Sequence, residues 1–225
     1  MMNLSSLLSL LQLVSPTLPV GAYSYSEGLE YLIEKDIIRD QSALENWLSQ
    51  ELKTGSIRLE SAVLLRAYQA SITQKIESLN QWNNWLSATR ETLELRQQSW
   101  QMGKSLEKLL LDLIPESHLL FTQLDQPCNY AIAVGIGATY WQIEPPTILL
   151  AYLSSWANNL ISAGVRLVPL GQTMGQRITL NLQPTLIQIS QDILELTDDN
   201  LYSCSWGLGL ASMNHEVQYT RLFRS

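Results

Sequence analysis

The first pattern along the chain is a run of leucines at helical spacing. Apolar residues recur every three or four positions, the repeat of one helix face, at Leu4, Leu7, Leu8 and Leu11. Pro16 follows shortly afterwards, and a proline disfavours helical backbone in the residue before it. The pattern predicts a helix over residues 3–14, followed by a turn through Pro19 and Gly21.

A second, shorter helix is predicted directly after this turn. Ser24 or Ser26 offers the hydroxyl that caps a helix N-terminus, and the helix then extends to about Lys35. Glu27 and Glu30 would lie in its first turns, where the helix dipole favours carboxylates. Gly28 would then be a glycine inside a helix, a position that close approach of another helix or chain would explain.

Helical periodicity continues through most of the remaining chain. Asp40 begins a helix that ends at Gly55, and another follows it. Pro145 and Pro146 suit the first turn of a later helix, and Pro169 and Gly171 interrupt the pattern. Other helical segments cover 79–114, with a bend at Gly103, then 128–142, and finally 171–194 as one helix or two around Pro184.

No segment of any length alternates with the period of two that marks a strand. The chain has 225 residues and no linker between periodic segments, so one domain is expected. The sequence therefore predicts an all-α fold, a single-domain bundle of about eight to ten helices over residues 1–225.

Composition adds an expectation about partners. Only 16% of the residues are charged and 46% are apolar, whereas an average soluble domain is about 25% charged. The excess of apolar over charged residues suggests an apolar surface that a partner covers. The net charge of -7 argues against nucleic acid, and no stretch reaches the roughly 18 apolar residues of a membrane span. Cys128 and Cys204 form no CxxC pair, which favours free thiols in a reducing cytoplasm.

The C-terminal segment lacks a clear apolar stripe. It places Gly207 and Gly209 close together and ends with Arg221 and Arg224 on an otherwise acidic protein. Segments of this kind often order only when something binds them. We therefore expect residues 200–225 to form a mobile tail that becomes ordered on partner binding.

The sequence lacks the motifs of several enzyme classes. Gly135 and Gly137 have no preceding strand, and the segment from Gly171 to Gly175 lacks the P-loop lysine, so these glycines indicate close helix packing. The histidines and cysteines are not paired at metal-ligand spacing, which argues against a metal site or cofactor held by one chain. A site shared across a complex stays open for His215.

Two other interpretations remain open at this point. An all-α enzyme could use Tyr23, Glu27 and His215 in acid-base roles if the fold brings them into one pocket. Alternatively, the chain could be a generic helical interaction scaffold.

Three segments resemble one family, and the similarity spans nearly the whole chain in matching order. LLQLVSPTLPVGAYSYSEGLE and HEVQYTRLFRS resemble the N-terminal and C-terminal signatures of the urease accessory protein UreF family. LSSWANNLISAGVRLVPLGQTMGQR between them is also similar to that family. The resemblance implies an all-helical, dimeric, non-enzymatic chaperone for nickel insertion. Its partners would be UreD (called UreH in some organisms), the GTPase UreG and, through their complex, apo-urease.

The same resemblance suggests which residues contact partners. Three residues would set the N-terminal turn: Pro16, Pro19 and Gly21. The remaining candidates lie in the two end motifs: Tyr23, Ser26, Glu27, Gly28, His215, Glu216, Gln218, Tyr219, Arg221, Phe223 and Arg224. Either arginine could stabilise phosphoryl charge on the GTPase, although pairing with partner carboxylates is the simpler role for both.

Overall fold

The computed structural model describes residues 3–168 and 171–225. This part of the chain contains eleven α-helices and no β-strand, which confirms the all-α prediction with slightly more helices than expected. The helices are α1 Leu4–Leu13, α2 Leu29–Glu34, α3 Gln41–Thr54, α4 Ser56–Ile72, α5 Ile76–Thr89, α6 Leu93–Leu113, α7 His118–Thr122, α8 Tyr130–Tyr140, α9 Pro145–Leu167, α10 Gln172–Leu194 and α11 Trp206–Glu216.

Helices α4 and α8 form the centre of the bundle. Nearly every residue of α8 is buried, and small side chains let it approach α4 closely. A Cβ atom at Gly135 would lie 2.8 Å from the carbonyl oxygen of Leu64 and 2.9 Å from the Cβ of Ala67. One at Gly137 would lie 3.0 Å from Leu110 on α6. The prediction of close helix packing is therefore confirmed for Gly135 and Gly137. It is wrong for Gly171, where an added Cβ would have no atom within 4 Å.

Helices α9 and α10 pack side by side against α3 and α4. As predicted, α9 starts with Pro145 in its first turn. Of the two alternatives left open around Pro184, the structure has one continuous helix, α10. Gly171 is the N-cap of α10, whereas the interruption predicted at Pro169 lies outside the described residues. Among the described helices, α9 alone is long and apolar enough to cross a membrane, and half of its most apolar window is buried here.

The predicted continuous helix over residues 79–114 is wrong. It is divided into α5 and α6 by a link in which Arg90 and Thr92 have extended backbone. The hydroxyl of Thr92 accepts a hydrogen bond from the N–H of Leu95 and caps α6. The link also turns Arg90 inward, where its guanidinium lies 2.6 Å from the carboxylate of Glu60. Gly103 instead serves close packing, since its Cβ would lie 2.1 Å from the carbonyl oxygen of Cys128.

The predicted start of the second helix is also wrong. Ala22–Ser24 form a short 3-10 helix, and α2 begins only at Leu29. Glu27 and Gly28 both have left-handed backbone, with φ of 53° and 78°, so they precede the helix. Consecutive left-handed residues cannot continue a right-handed helix. Glu27 therefore lies outside the first turn of α2, and Gly28 is the N-cap of α2 rather than an interior residue.

The C-terminal segment is folded onto the bundle in this structure. Asp198–Asn200 form a 3-10 helix, α11 packs against α2 and α6, and Phe223 and Ser225 are buried. The structure thus describes a docked conformation of the tail. That the tail is mobile before a partner binds stays a prediction.

Candidate functional site at the junction of the two end motifs

The fold brings the two end motifs into direct contact. The backbone N–H and the hydroxyl of Ser26 both donate to the backbone oxygen of Ser225, at 2.6 and 2.7 Å. The N–H of Arg224 donates to the carbonyl of Ser24 at 2.9 Å. We call the region where residues 21–34 meet residues 211–225 the terminal junction.

Glu30 is the central side chain of the terminal junction. One carboxylate oxygen accepts the N–H of Leu222 at 2.7 Å, and the other accepts that of Phe223 at 3.0 Å. The glutamate is 7% exposed, so these bonds form away from bulk water. Hydrogen bonds to an ionised acceptor are about twice as strong as neutral ones. Glu30 therefore fixes the path of the tail across α2.

His215 lies behind Glu30 and is fully buried. Its Nε2 is 3.2 Å from Glu30, and its Nδ1 is 3.4 Å from Glu94 on α6. Arg221 approaches the other oxygen of Glu94 at 3.3 Å. Burial alone would lower the pKa of His215, but hydrogen bonds to Glu94 and Glu30 outweigh burial and raise that pKa above its usual value.

Glu27 points to the opposite side, into the bundle. Its carboxylate accepts hydrogen bonds from the side chains of Gln98 and Trp156, each at 2.9 Å. Gln98 in turn accepts from the hydroxyl of Ser225 at 2.5 Å, which links Glu27 to the tail. Burial raises the pKa of Glu27, an effect that these two donors only partly offset.

A cavity of about 60 Å³ lies beside Glu27. Its polar lining comes from segments distant in sequence and includes Glu27, Glu60, Arg90, Tyr130, Tyr152 and Trp156. Neither Tyr23 nor His215 lines this cavity, because Tyr23 is 65% exposed and His215 is enclosed between α2 and α6. The three residues of the enzyme interpretation are therefore not brought to one pocket.

Gly28 allows α11 to approach the start of α2. A Cβ at this position would lie 2.9 Å from both the Cβ of Ala211 and the backbone nitrogen of Ser212. Ser212 is itself hydrogen-bonded to the hydroxyl of Thr92 at 2.8 Å. The approach of another helix at Gly28 is thus confirmed, and the partner helix is α11.

Arg166 on α9 is a further residue of the terminal junction that the sequence did not single out. Its guanidinium donates to the carbonyl of Tyr23 at 3.3 Å and lies 4.7 Å from the ring centre of Phe223. One side chain therefore contacts both end motifs. Glu94, Gln98 and Trp156 were missed as well, since each is an ordinary polar or aromatic position within a helical pattern.

The predicted partner-binding residues divide into two groups. One group is buried and, in this conformation, packs beneath the exposed residues of the terminal junction: Ser26, Gly28, His215 and Phe223. Glu27 and Gln218 are partly exposed, and Gln218 donates to Glu34. The outward-facing residues are Tyr23, Glu216, Tyr219, Arg221 and Arg224. Binding of a partner by either group stays a prediction.

The turn residues lie beside this surface. The N–H of Leu18 donates to Ser15 across a turn that contains Pro16, and that of Val20 donates to Leu18 across Pro19. Gly21 has φ of 76°, a left-handed conformation that glycine adopts without strain. These turns place the segment from Ala22 onwards against α9.

The outer face of α11 carries an apolar stripe. Its residues recur at spacings of four, three and four and are 59–80% exposed: Trp206, Leu210, Met213 and Val217. We call them the α11 stripe. Large side chains on one uncharged helix face are typical of interaction surfaces.

The described residues offer no metal centre, since no group of three or more His, Cys, Asp or Glu side chains within them is placed to hold an ion. The fold and this surface, in which exposed aromatic and apolar side chains surround buried polar contacts, define an all-α protein without a metal centre in the described residues. The UreF family profile matches residues 38–183, about two thirds of the chain. The chain therefore belongs to the UreF family.

Relatives extend this match over the two end motifs. A urease accessory protein UreF of Microcystis aeruginosa is 58% identical over 225 residues, all of both chains. One of Synechocystis is 56% identical over 236 residues, again covering both chains. One of Pseudomonas fluorescens is 40% identical over 220 residues, covering 96% of this chain and 98% of the relative. These names describe accessory proteins, in agreement with the prediction of a non-enzymatic chain.

Proposed function

We propose that this protein is a scaffold for urease maturation. It binds UreD (UreH) and recruits the GTPase UreG, so that the complex inserts nickel into apo-urease in the cytoplasm. The observation that carries this proposal is the terminal junction. It joins the two end motifs through buried hydrogen bonds and leaves Tyr23, Tyr219 and Leu222 exposed beside Arg224.

The exposed side chains suit protein recognition. Tyrosine and arginine are enriched among the residues that dominate binding energy, because they combine large contact area with directed hydrogen bonds. Tyr219 is fully exposed, and Leu222 is 66% exposed although its backbone is fixed by Glu30. A backbone held in this way reduces the conformational entropy that partner binding must overcome.

The division of chemistry within the complex follows from the missing motifs. The chain has no P-loop sequence, so nucleotide hydrolysis belongs to the GTPase, with nickel as cargo. A scaffold controls such a reaction by binding one nucleotide state more tightly than the other. Arg221 pairs with Glu94 in this structure, which favours an ion-pairing role over a direct phosphoryl contact.

A homodimer fits the α11 stripe. A standard interface removes about 800 Å² from each partner, and four large apolar side chains at helical spacing are a suitable centre for one. The stripe overlaps the terminal junction, because Met213 and Val217 lie within residues 211–225. A dimer through α11 would place two copies of the junction in one assembly.

Co-purification tests the proposal. The tagged chain is co-expressed with UreD and UreG of the same organism, and the eluted complex is sized by chromatography with light scattering. We expect a stoichiometric complex that Tyr219→Ala and Leu222→Ala weaken at least tenfold. Ile72→Ala, which removes a 59% exposed apolar side chain on α4, is the matched control and should leave the complex intact. Failure of the intact chain to bind either partner would contradict the scaffold function.

The predicted ordering of the tail has its own measurement. Hydrogen exchange of residues 200–225 is compared with and without bound UreD. We expect strong additional protection in this segment alone, because exchange reports local opening. Equal protection in both states would show that the tail is already ordered in the free protein.

A further inference from the structure

The most unusual charged group in the terminal junction is His215, because both of its ring nitrogens face carboxylates. Nε2 lies 3.2 Å from an oxygen of Glu30, and Nδ1 lies 3.4 Å from an oxygen of Glu94. A neutral imidazole carries only one N–H, whereas the imidazolium carries two. Only the protonated ring can therefore donate to both carboxylates.

The charges around His215 balance only when it is protonated. Glu30 faces the ring from α2 and Glu94 faces it from α6, and Arg221 of the tail pairs with Glu94. Two carboxylates are then matched by the imidazolium and one guanidinium. Loss of the histidine proton leaves one excess negative charge, and it leaves a ring lone pair facing a carboxylate oxygen. An unpaired charge in a buried site is strongly unfavourable.

The same carboxylates hold the tail in place. Glu30 accepts the N–H groups of Leu222 and Phe223, and Glu94 contacts Arg221. Beyond these residues, Phe223 is buried and the backbone oxygen of Ser225 bonds to Ser26. A change in the position of Glu30 or Glu94 would therefore loosen the tail at several points.

We propose that the His215 imidazolium, held between Glu30 and Glu94, is a proton-dependent lock that keeps α11 and the residues after it, 206–225, docked on the bundle and releases them as pH rises. This inference deepens the proposed function, because it concerns the regulation of the same surface. With such a lock, the exposure of the terminal junction depends on local pH even when no ligand is bound.

The direction of the pH effect follows from the linkage between protonation of His215 and docking. The pKa of His215 is raised by its bonds to Glu94 and Glu30 despite burial. When residues 206–225 leave the bundle, His215 also leaves both carboxylates, so its pKa is higher in the docked state than in the released state. Protonation therefore favours docking, fully so below the ordinary histidine pKa near 6.5. This contribution is lost as pH rises through the higher pKa of the docked state. By linkage, every tenfold change in the docking equilibrium across this range corresponds to a difference of one between the pKa values of the two states.

The test uses the full isolated chain, so its outcome does not depend on partner binding. NMR follows the ring signals of the two histidines from about pH 6 to about pH 9, a range that starts below the ordinary histidine pKa. Hydrogen exchange of the Leu222 and Phe223 amides is measured over the same range, corrected for the intrinsic rate against buried amides of α8. We expect the protection of the tail to fall at least tenfold along the titration curve of His215.

Two variants complete the test. His215→Gln keeps one donor but not the charge, and should give a tail with low protection that no longer changes with pH. His118→Gln, at an exposed position on α7, should retain the wild-type profile. If His215→Gln does not fold, the wild-type titration alone decides. A His215 that titrates at or below the ordinary value, or tail protection that is constant through its titration, would overturn the lock. Co-purification at a fixed pH tests the scaffold function separately.

Discussion

The α4–α8 interface and the terminal junction are both buried, but different interactions hold them. At the α4–α8 interface, Gly135 lets two helix backbones meet among leucine, valine and alanine side chains. At the terminal junction, Glu30 and His215 meet backbone N–H groups and a second carboxylate. Apolar packing is non-directional and insensitive to pH, whereas buried charges need every partner in position.

This difference has a functional consequence. A small-residue helix interface opens only when the protein unfolds, because no part of it separates without exposing core. Residues 217–225 of the junction, in contrast, are attached through a few hydrogen bonds and one buried ring, Phe223. Segments held by few apolar contacts are those that open locally. The junction is therefore suited to respond to a partner, and the α4–α8 interface to resist change.

The largest effect is expected for Glu30→Ala. Removing one member of a buried charge pair costs about 3–5 kcal/mol, since the remaining charge lies buried and unpaired. Here His215 and two backbone N–H groups would lose their acceptor. We expect the tail amides to lose exchange protection while those of α8 keep it. The control is Glu77→Ala, which removes an exposed carboxylate on α5.

A tail that stays protected in Glu30→Ala would contradict the comparison, because it would show that Phe223 alone holds the junction. Loss of exchange protection throughout the bundle would also contradict the comparison. In that case the junction would belong to the cooperative core.

Glu51 on α3 is a buried carboxylate outside the terminal junction, and its effect on stability is also expected to depend on pH. It is 8% exposed, and burial, with Glu27 and Glu91 nearby, raises its pKa from 4.5 to about 7. The folded state thus binds the proton more tightly than the unfolded state does, so stability falls as pH rises from 4.5 to about 7. Above that range the full penalty is present.

We therefore expect Glu51→Gln to raise stability above pH 7 by up to about 3 kcal/mol, and to change little in acid. Chemical denaturation at several pH values measures this. The exposed Glu195→Gln serves as control and should move stability by less than about 0.5 kcal/mol. A destabilised Glu51→Gln would show that the ionised carboxylate has a compensating partner.

Gly135→Ala tests the α4–α8 interface directly. The added methyl group would meet the backbone of Leu64 at 2.8 Å, and a helix backbone cannot move aside locally. Overpacking of this kind costs about 1–3 kcal/mol, and we expect the loss to be the same at all pH values. Gly207→Ala on α11, where nothing lies within 4 Å, is the matched control and should be neutral or stabilising. If Gly135→Ala left the stability unchanged, the α4–α8 interface would be packed less tightly than in this structure.

The fold was largely predictable from local patterns. Helices with a clear apolar stripe or a proline start were placed correctly, as for α1 and α9, because both signals lie within the segment itself. The break between α5 and α6 was not predicted. In the sequence Thr92 is an ordinary polar position of a helical pattern, and the break depends on the contact of Arg90 with Glu60 on another helix. The start of α2 was missed because Glu27 adopts left-handed backbone, which a glutamate alone does not signal.

The candidate site was predictable only in its location. The two end motifs pointed to Glu27 and His215, but they gave no indication of which partners these residues have. Glu94, Gln98 and Arg166 come from the middle of the chain and carry no local signal. Their roles arise from tertiary contacts, in which a histidine becomes a buried cation only because two distant carboxylates enclose it.

The smallest expected effect, and the finest test of the comparison, is Arg166→Ala. Arg166 joins the carbonyl of Tyr23 to the ring of Phe223 from the solvent side, where a cation–π contact is worth about 0.5–1 kcal/mol. We expect tail protection to fall a few-fold while global stability is unchanged. Arg177→Ala, an exposed arginine on α10, is the control. A loss of global stability in Arg166→Ala would place Arg166 in the core, whereas a loss confined to the tail would show that the junction is held by separate, individually weak contacts around one buried charge cluster.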